Sequence, residues 1–435
     1  MTHAKAGEHF RVIAEIDDGD RTIPGVRCDV SLPKRSCGQI QILCWPNQQQ
    51  WEQLKLAWEI SLRATLYFAG GEKKRGDIFI VRGRKGSAEG HERANVGLEY
   101  EVRIVPYDLI VTEYFHANSD EGQVTSGEFW ITPSSLLSPS YGKSHCSMEG
   151  LRIESIEAPP FKLLDGIDLQ FANSHVFFDN DDHSTTVQLE LVARFSAAGT
   201  IAAVPTLLPS LDDLLMFGSL AERKQIHCVG WSVSDSNCLQ RHYRRNIAVD
   251  KVPATADSGD PLIKKYDAWE FLGQVYQSFQ QLPHRELLKL AIDGITSKSD
   301  APSEIQYMGL FSALQSLVLL HKRTEGLKKL KFRPAYAAAQ QRFGWEADDL
   351  WPVADKSSGQ SLYCIRNHIE HGDPISENDF KALAVAKLHL QWTIERALLA
   401  ILGWPLERST VSSHSLGKWH PYKDWCAIRE QMNLA

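Results

Sequence analysis

Apolar residues in the first half of the chain recur at every second position. Residues 10–16 read Phe-Arg-Val-Ile-Ala-Glu-Ile, and residues 38–44, 62–68 and 77–81 repeat the alternation. A period of two places one set of side chains on one face of a strand. Further strands are expected over residues 98–105, 128–132, 185–195 and 226–233. Polar turn clusters at 17–20, 70–71, 118–122 and 179–182 separate them. One helix is expected among these strands, at 211–224. Many short strands joined by polar turns predict either a sandwich or an irregular barrel, built as one domain or as two subdomains.

The period changes near Asp250. Residues 253–261 read Pro-Ala-Thr-Ala-Asp-Ser-Gly-Asp-Pro and mark a linker, placed at 251–262. Beyond it the apolar positions follow a period of about 3.6, which predicts helices. These are expected over 266–281, 286–296, 304–322, 358–371 and 377–402. In the third, Ile305, Met308, Phe311, Leu314, Leu317 and Val318 are expected to face the core. In the last, Phe380, Leu383, Leu388, Ile394, Leu398 and Ile401 are expected inward. Gly372 and Pro374 close the fourth helix, and Gly403-Trp404-Pro405 closes the last. The expected fold class is α+β: a β-rich region over 1–250, then an all-α bundle over 263–405. A tail over 406–435 either docks on the bundle or frays.

Composition narrows the chemistry. The chain has 435 residues and a formal net charge of -7, from 47 Lys+Arg against 54 Asp+Glu. Binders of duplex nucleic acid neutralise phosphates with a basic surface, so a broadly basic binder is excluded. Any contact with RNA must be local. The 8 cysteines form no Cys-x-x-Cys pair and are irregularly spaced, which favours buried thiols over a disulfide framework or a metal site. Residues 1–20 lack the apolar core of a secretory leader, and the most apolar stretch, 397–404, is far too short for a bilayer. A cytoplasmic protein without membrane contact or cofactor is expected.

The segment with chemical potential is Ser-Leu-Tyr-Cys-Ile-Arg-Asn-His-Ile-Glu-His-Gly, residues 361–372. It carries Arg366, Asn367 and His371. An Arg followed by a His after four to six intervening residues also occurs at Arg84/His91 and Arg408/His414. The first of these lies in a Gly-rich stretch and the other in a Ser-rich tail; Arg366/His371 alone falls on an expected helix. At about 3.6 residues per turn, Asn367 and His371 lie roughly 40° apart, and Arg366 lies roughly 140° from His371. The long arginine stem can swing its guanidinium round, so the three groups can converge on one phosphate. Metal-free RNA cleavage needs a base for the ribose 2′-OH and an acid for the leaving 5′-oxygen. Histidine suits both roles, and arginine offers a planar fork to the crowded phosphate. The helix dipole favours imidazolium at His371 by roughly 0.3–1 kcal/mol, and Glu370 and Asp373 beside it push the same way. A purely structural account is also open: His371 as a cationic helix cap, with Gly372 ending the helix.

The Ile-Arg-Asn-x-x-x-His-Gly segment, with Ser-Ala-Leu-Gln-Ser-Leu (312–317) on a preceding helix, resembles the ApeA-like HEPN family. Those are bacterial anti-phage abortive-infection proteins with a β-rich N-terminal region and a C-terminal HEPN bundle. The specific match is confined to about fifteen residues around Arg366. The resemblance implies a metal-independent endoribonuclease, active as a homodimer or higher homo-oligomer. Arg366 and His371 would be catalytic, assisted by Asn367, with a transfer RNA as a plausible target and a phage-derived trigger. HEPN domains of this kind often carry an acid where this chain has Gln315, which leaves Gln315 to orient Arg366 by hydrogen bonding. A tyrosine-regulated subgroup carries Tyr where this chain has Pro374.

Basic clusters offer routes for substrate. Residues 321–333 (His-Lys-Arg-Thr-Glu-Gly-Leu-Lys-Lys-Leu-Lys-Phe-Arg) follow the third helix. Lys322, Arg323, Lys328 and Lys329 are the candidates there for guiding RNA phosphates, against the commoner role of a solvated face. Residues 73–85 form a second cluster, and Arg241-His242-Tyr243-Arg244-Arg245 a third that suits an interdomain contact equally well. The alternative function class is a non-catalytic HEPN module that binds RNA or nucleotide, or only dimerises, under control of the N-terminal region.

Overall fold

The computed structural model describes residues 8–33, 40–68, 74–93, 97–114, 124–139, 141–147, 150–155, 158–163, 167–179, 185–198, 204–235, 238–244, 260–297, 301–355, 360–373 and 375–432. The expected turns at 70–71 and 118–122, nearly all of the expected linker, and Pro374 lie outside these residues. The fold is mixed α+β, with an N-terminal β-barrel and sheet region followed by a helical C-terminal region.

Six strands close the barrel: β1 (His9–Asp17), β2 (Thr22–Ser31), β3 (Gln41–Trp45), β4 (Glu59–Phe68), β5 (Lys74–Arg93) and β6 (Gly97–Tyr114). A short helix, α1 (Gln48–Leu54), lies between β3 and β4 in the chain. The barrel order is β6-β3-β2-β1-β4-β5, and β5 returns to β6. All of these pairings are antiparallel. Alternation fills the interior: Val12, Ala14 and Ile16 are buried, whereas Ile13 between them is 64% exposed. The same core takes Val26, Cys28, Val30, Ile42, Cys44, Ile78, Ile80 and Ile104. Register shifts near Ile80, Arg82 and Lys85 let long β5 bend around the barrel.

A second run of strands extends from β6. These are β7 (Val124–Ile131), β8 (Tyr141–Ser147), β9 (Gly150–Ser155), β10 (Phe161–Lys162), β11 (Asp168–Asp179), β12 (Thr185–Ala198), β13 (Cys228–Ser234) and β14 (Cys238–Tyr243). From β6 outward the order is β14, β13, β7, β12, β11, β10, while β8 and β9 pair separately. Between β12 and β13 runs α2 (Val204–Glu222), with Pro209 inside it. The sequence suggested 211–224; the helix begins seven residues earlier, with Pro205 in its first turn, where no backbone N–H is required.

The chain divides into two compact units, one of residues 1–212 and 227–256, the other of 213–226 and 257–435. The second unit thus takes in the latter part of α2 and the C-terminal tail, both of which the period-based reading set apart. Its helices are α3 (Ala268–Gln281), α4 (Arg285–Thr296), α5 (Ser303–Thr324), α6 (Phe332–Phe343), α7 (Leu362–Glu370), α8 (Phe380–Ile401), α9 (Ser413–Leu416), α10 (His420–Lys423) and α11 (Trp425–Gln431). Helix α5 packs against α4, α6, α7 and α8. Gly294 lets α4 approach α5 closely, since a Cβ there would lie 3.0 Å from the Ala313 Cβ. Helix α6 was not foreseen; its inward side is Ala335, Tyr336 and Ala339, too small a set to stand out as a helical stripe.

Two inward faces differ from expectation. On α5, Ile305 is 60% exposed and Met308 half-buried, while Tyr307, Leu310, Ala313 and Leu320 are buried with Phe311, Leu314, Leu317 and Val318. On α8, Phe380 is 47% exposed and Leu388 half-buried. Residues 392–399 are buried all round, because α8 is enclosed by neighbours rather than laid on a surface. The tail docks. Arg396, 1% exposed, donates to both carboxylate oxygens of Asp349 and to the Val411 carbonyl. Asp349 also accepts from Ser413 and Tyr422, and this ring of donors holds its carboxyl well below the ordinary range despite burial. No helix among the described residues is long and apolar enough to cross a membrane.

Candidate functional site

Helix α7 is only 9 residues long, too short to hold itself together in water, so its neighbours define it. Ser361 caps it: the hydroxyl accepts from the Cys364 N–H. The Leu362 and Tyr363 N–H groups donate to the carbonyls of Pro352 and Val353 at 3.0 and 2.9 Å, which satisfies donors the helix itself leaves open. Buried Tyr307 on α5 donates to the Leu362 carbonyl at 2.8 Å, and burial pushes its phenol pKa up, keeping that proton in place. Leu362 and Ile365 are buried beneath the helix, leaving the side with Tyr363, Asn367 and Glu370 at least partly accessible.

On that side Arg366 and Glu370 form a two-pronged ion pair, with Nη2 2.7 Å from Oε1 and Nη1 in contact with Oε2. Arg366 Nη1 also donates to Asn367 Oδ1 at 3.0 Å. The Arg366 side chain is 18% exposed and the Glu370 side chain 46%. Among the described residues Arg366 Nε is buried without a hydrogen-bond partner.

His371 is exposed and is the cap residue of α7. Gly372 follows with φ +80°, in the left-handed region that glycine adopts without a Cβ clash. The Gly372 N–H donates to Ile369 O and the Asp373 N–H to His368 O, at 3.0 and 3.2 Å, a complete Schellman ending. The acids expected to flank His371 are engaged elsewhere: Glu370 holds Arg366, and Asp373 lies 3.7 Å from His368 Nδ1. His368 is half-buried.

No protein-family model matches the chain, and no curated protein or solved structure matches it.

The structure therefore joins Arg366 and Asn367 directly and sets His371 at the end of the same helix. The other candidates make no hydrogen bond or ion pair to α7 among the described residues. Gln315 is half-buried one helical turn beyond Phe311 on α5, and makes no hydrogen bond to Arg366; Asn367 and Glu370 take the guanidinium instead. Arg323 lies 3.4 Å from Glu286, and Lys322 sits beside it at the end of α5. Lys328 and Lys329 are exposed between α5 and α6. In the N-terminal unit, Arg241 pairs with Glu8 and Glu113, and Arg244 with Asp212, so these two charges are matched inside that unit. Among the described residues no group of three His, Cys, Asp or Glu side chains could hold a metal ion.

Sequence reasoning named Glu370 and Arg333, the first beside His371 and the second in the basic 321–333 cluster, but missed the partner of each. Glu370 stands four residues after Arg366, the spacing at which opposite charges meet on a helix, and that signal was available. Arg333, at the start of α6, reaches α7 through space: its guanidinium lies 5.0 Å from the Tyr363 ring centre, and Nη2 lies 3.6 Å from Cys364 Sγ. No local pattern could have shown that contact.

Proposed function

We propose that the helical unit is a metal-independent endoribonuclease that cuts RNA at the C-terminal end of α7. The observation that carries this reading is the grouping of a permanent cation, an amide and an exposed imidazole on the last turn and a half of one short helix. A phosphate approaching that end meets Arg366 once Glu370 gives way. The guanidinium then bonds the non-bridging oxygens, where charge accumulates as the ribose 2′-oxygen attacks phosphorus. Protonated His371 delivers its proton to the departing 5′-oxygen, and a base, supplied by water or by a second copy of the chain, removes the 2′-OH proton. The products are a 2′,3′-cyclic phosphate and a free 5′-hydroxyl. The likeness of the 361–372 segment to ApeA-like HEPN proteins adds the biological setting to this proposal: a homodimeric anti-phage effector, directed at a transfer RNA and restrained by the β-rich region until a phage-derived cue appears.

The complete Schellman ending at His371–Gly372 favours a second reading, in which His371 serves the helix end and the unit binds RNA without cutting it. One experiment separates them. Purified protein is incubated with RNA in EDTA, alongside Arg366→Ala and His371→Ala. The nuclease reading expects cleavage with cyclic phosphate ends, lost by roughly 10²–10⁴-fold in either variant while circular dichroism stays native. Intact activity in His371→Ala with a lowered melting temperature would establish the cap instead.

A further inference from the structure

We propose that Arg333 is a second phosphate-binding arginine, which grips the RNA backbone beside the phosphate cut at α7. This deepens the ribonuclease reading and rests on it. Among the described residues the other half-buried arginines are matched to carboxylates: Arg223 to Glu395, Arg241 to Glu8, Arg244 to Asp212, Arg366 to Glu370, Arg408 to Asp267 and Arg429 to Asp355. Arg333 is half-buried too, yet no carboxylate among the described residues pairs with it. Among the described residues its Nε is buried with no hydrogen-bond partner, and its one hydrogen-bond contact is the weak acceptor Cys364 Sγ. A guanidinium partly removed from water without a counter-charge is costly, and an incoming anion would offset that cost.

Its position fits a backbone phosphate. The guanidinium rests on Tyr363, and Arg366 and Asn367 follow Tyr363 by three and four residues. That spacing puts all three on one side of α7, with Arg366 and Asn367 about 5 Å further along the axis. Tyr363 is itself backed by Phe332, whose ring is stacked on it at 5.3 Å, so the arginine sits on a rigid aromatic support. A planar fork fixed in this way suits phosphate better than the flexible Lys328 and Lys329. The competing role is a cation–π staple joining α6 to α7.

Arg333→Met and Arg333→Lys are assayed on a short single-stranded RNA across a range of salt concentrations, with cleavage kinetics, equilibrium binding and thermal melting read on each. In Arg333→Met, KM is expected to rise about tenfold with kcat within about twofold, the mark of an interaction made equally before and during reaction. The slope of log affinity against log salt should shrink by about 0.7, one phosphate contact on a single strand. Arg333→Lys should keep that slope and recover part of the affinity. Unchanged KM and salt slope in both variants, whatever the melting temperature, would reduce Arg333 to a staple while leaving the nuclease standing. Binding that depends on Arg333 in a protein that never cuts would sink the nuclease reading and keep the contact. Wild-type protein that neither binds nor cuts RNA would remove both.

Discussion

Glu370 occupies the Arg366 guanidinium, and on the ribonuclease proposal a phosphate must displace it. The two side chains lie four residues apart and bond through both prongs, yet Glu370 is 46% exposed, so water competes and the pair adds at most about 0.5 kcal/mol to stability. A phosphate can therefore displace the carboxylate at little cost. Glu370→Gln should leave the melting temperature within about a degree and tighten RNA binding about threefold, measured by fluorescence anisotropy; weaker binding would mean that Glu370 positions the guanidinium rather than masking it. His371 and Gly372 were legible as a helix ending because a backbone at φ +80° suits glycine. The partners of the local acids were not, since Asp373 turns to His368 and not to its nearer sequence neighbours.

Helix α8 is tied to distant stretches of the chain. Its fully buried His389 accepts the Trp351 N–H at Nδ1 (3.1 Å) and donates from Nε2 to the Pro421 carbonyl (3.0 Å). Burial drives its pKa down to about 4, against the pull of the Pro421 carbonyl and Asp349. The folded state thus refuses a proton that the unfolded chain takes up near pH 6.5, so stability is full above that pH and drains as pH falls toward 4. The loss is of order 3 kcal/mol over that window. Chemical denaturation between pH 7 and pH 4 should show this decline, and His389→Gln should flatten it; an unaltered slope would assign the acid sensitivity to carboxylates such as Asp349. Helical periodicity revealed α8 as an element but misjudged Phe380 and Leu388, which lie on the partly exposed first half of the helix, whereas residues 392–399 are buried all round.

At the scale of the molecule, the boundary between the compact units falls inside α2 after Asp212, and the later part of that helix belongs with the bundle. Arg223, just past its end, closes a two-pronged pair with Glu395, which is fully buried on α8. Arg223→Ala strands that carboxylate and should cost roughly 3–5 kcal/mol in urea unfolding. Adding Glu395→Gln should recover part of the loss; no recovery would show that packing of the arginine stem, not charge, is what matters.

Local pattern alone determined that this chain is strands first and helices after, that the strands carry alternating faces, and that an Arg-Asn-His group ends one helix. Those features depend on dihedral preference and on spacing along the backbone, which any stretch of sequence displays. Tertiary structure decided the closure of β5 onto β6, the inward side of α5, the docking of the C-terminal tail and the meeting of Arg333 with Tyr363. Each of these joins residues that approach only after the chain has folded, when burial of apolar surface and the matching of buried charge choose among arrangements that local preference leaves equal.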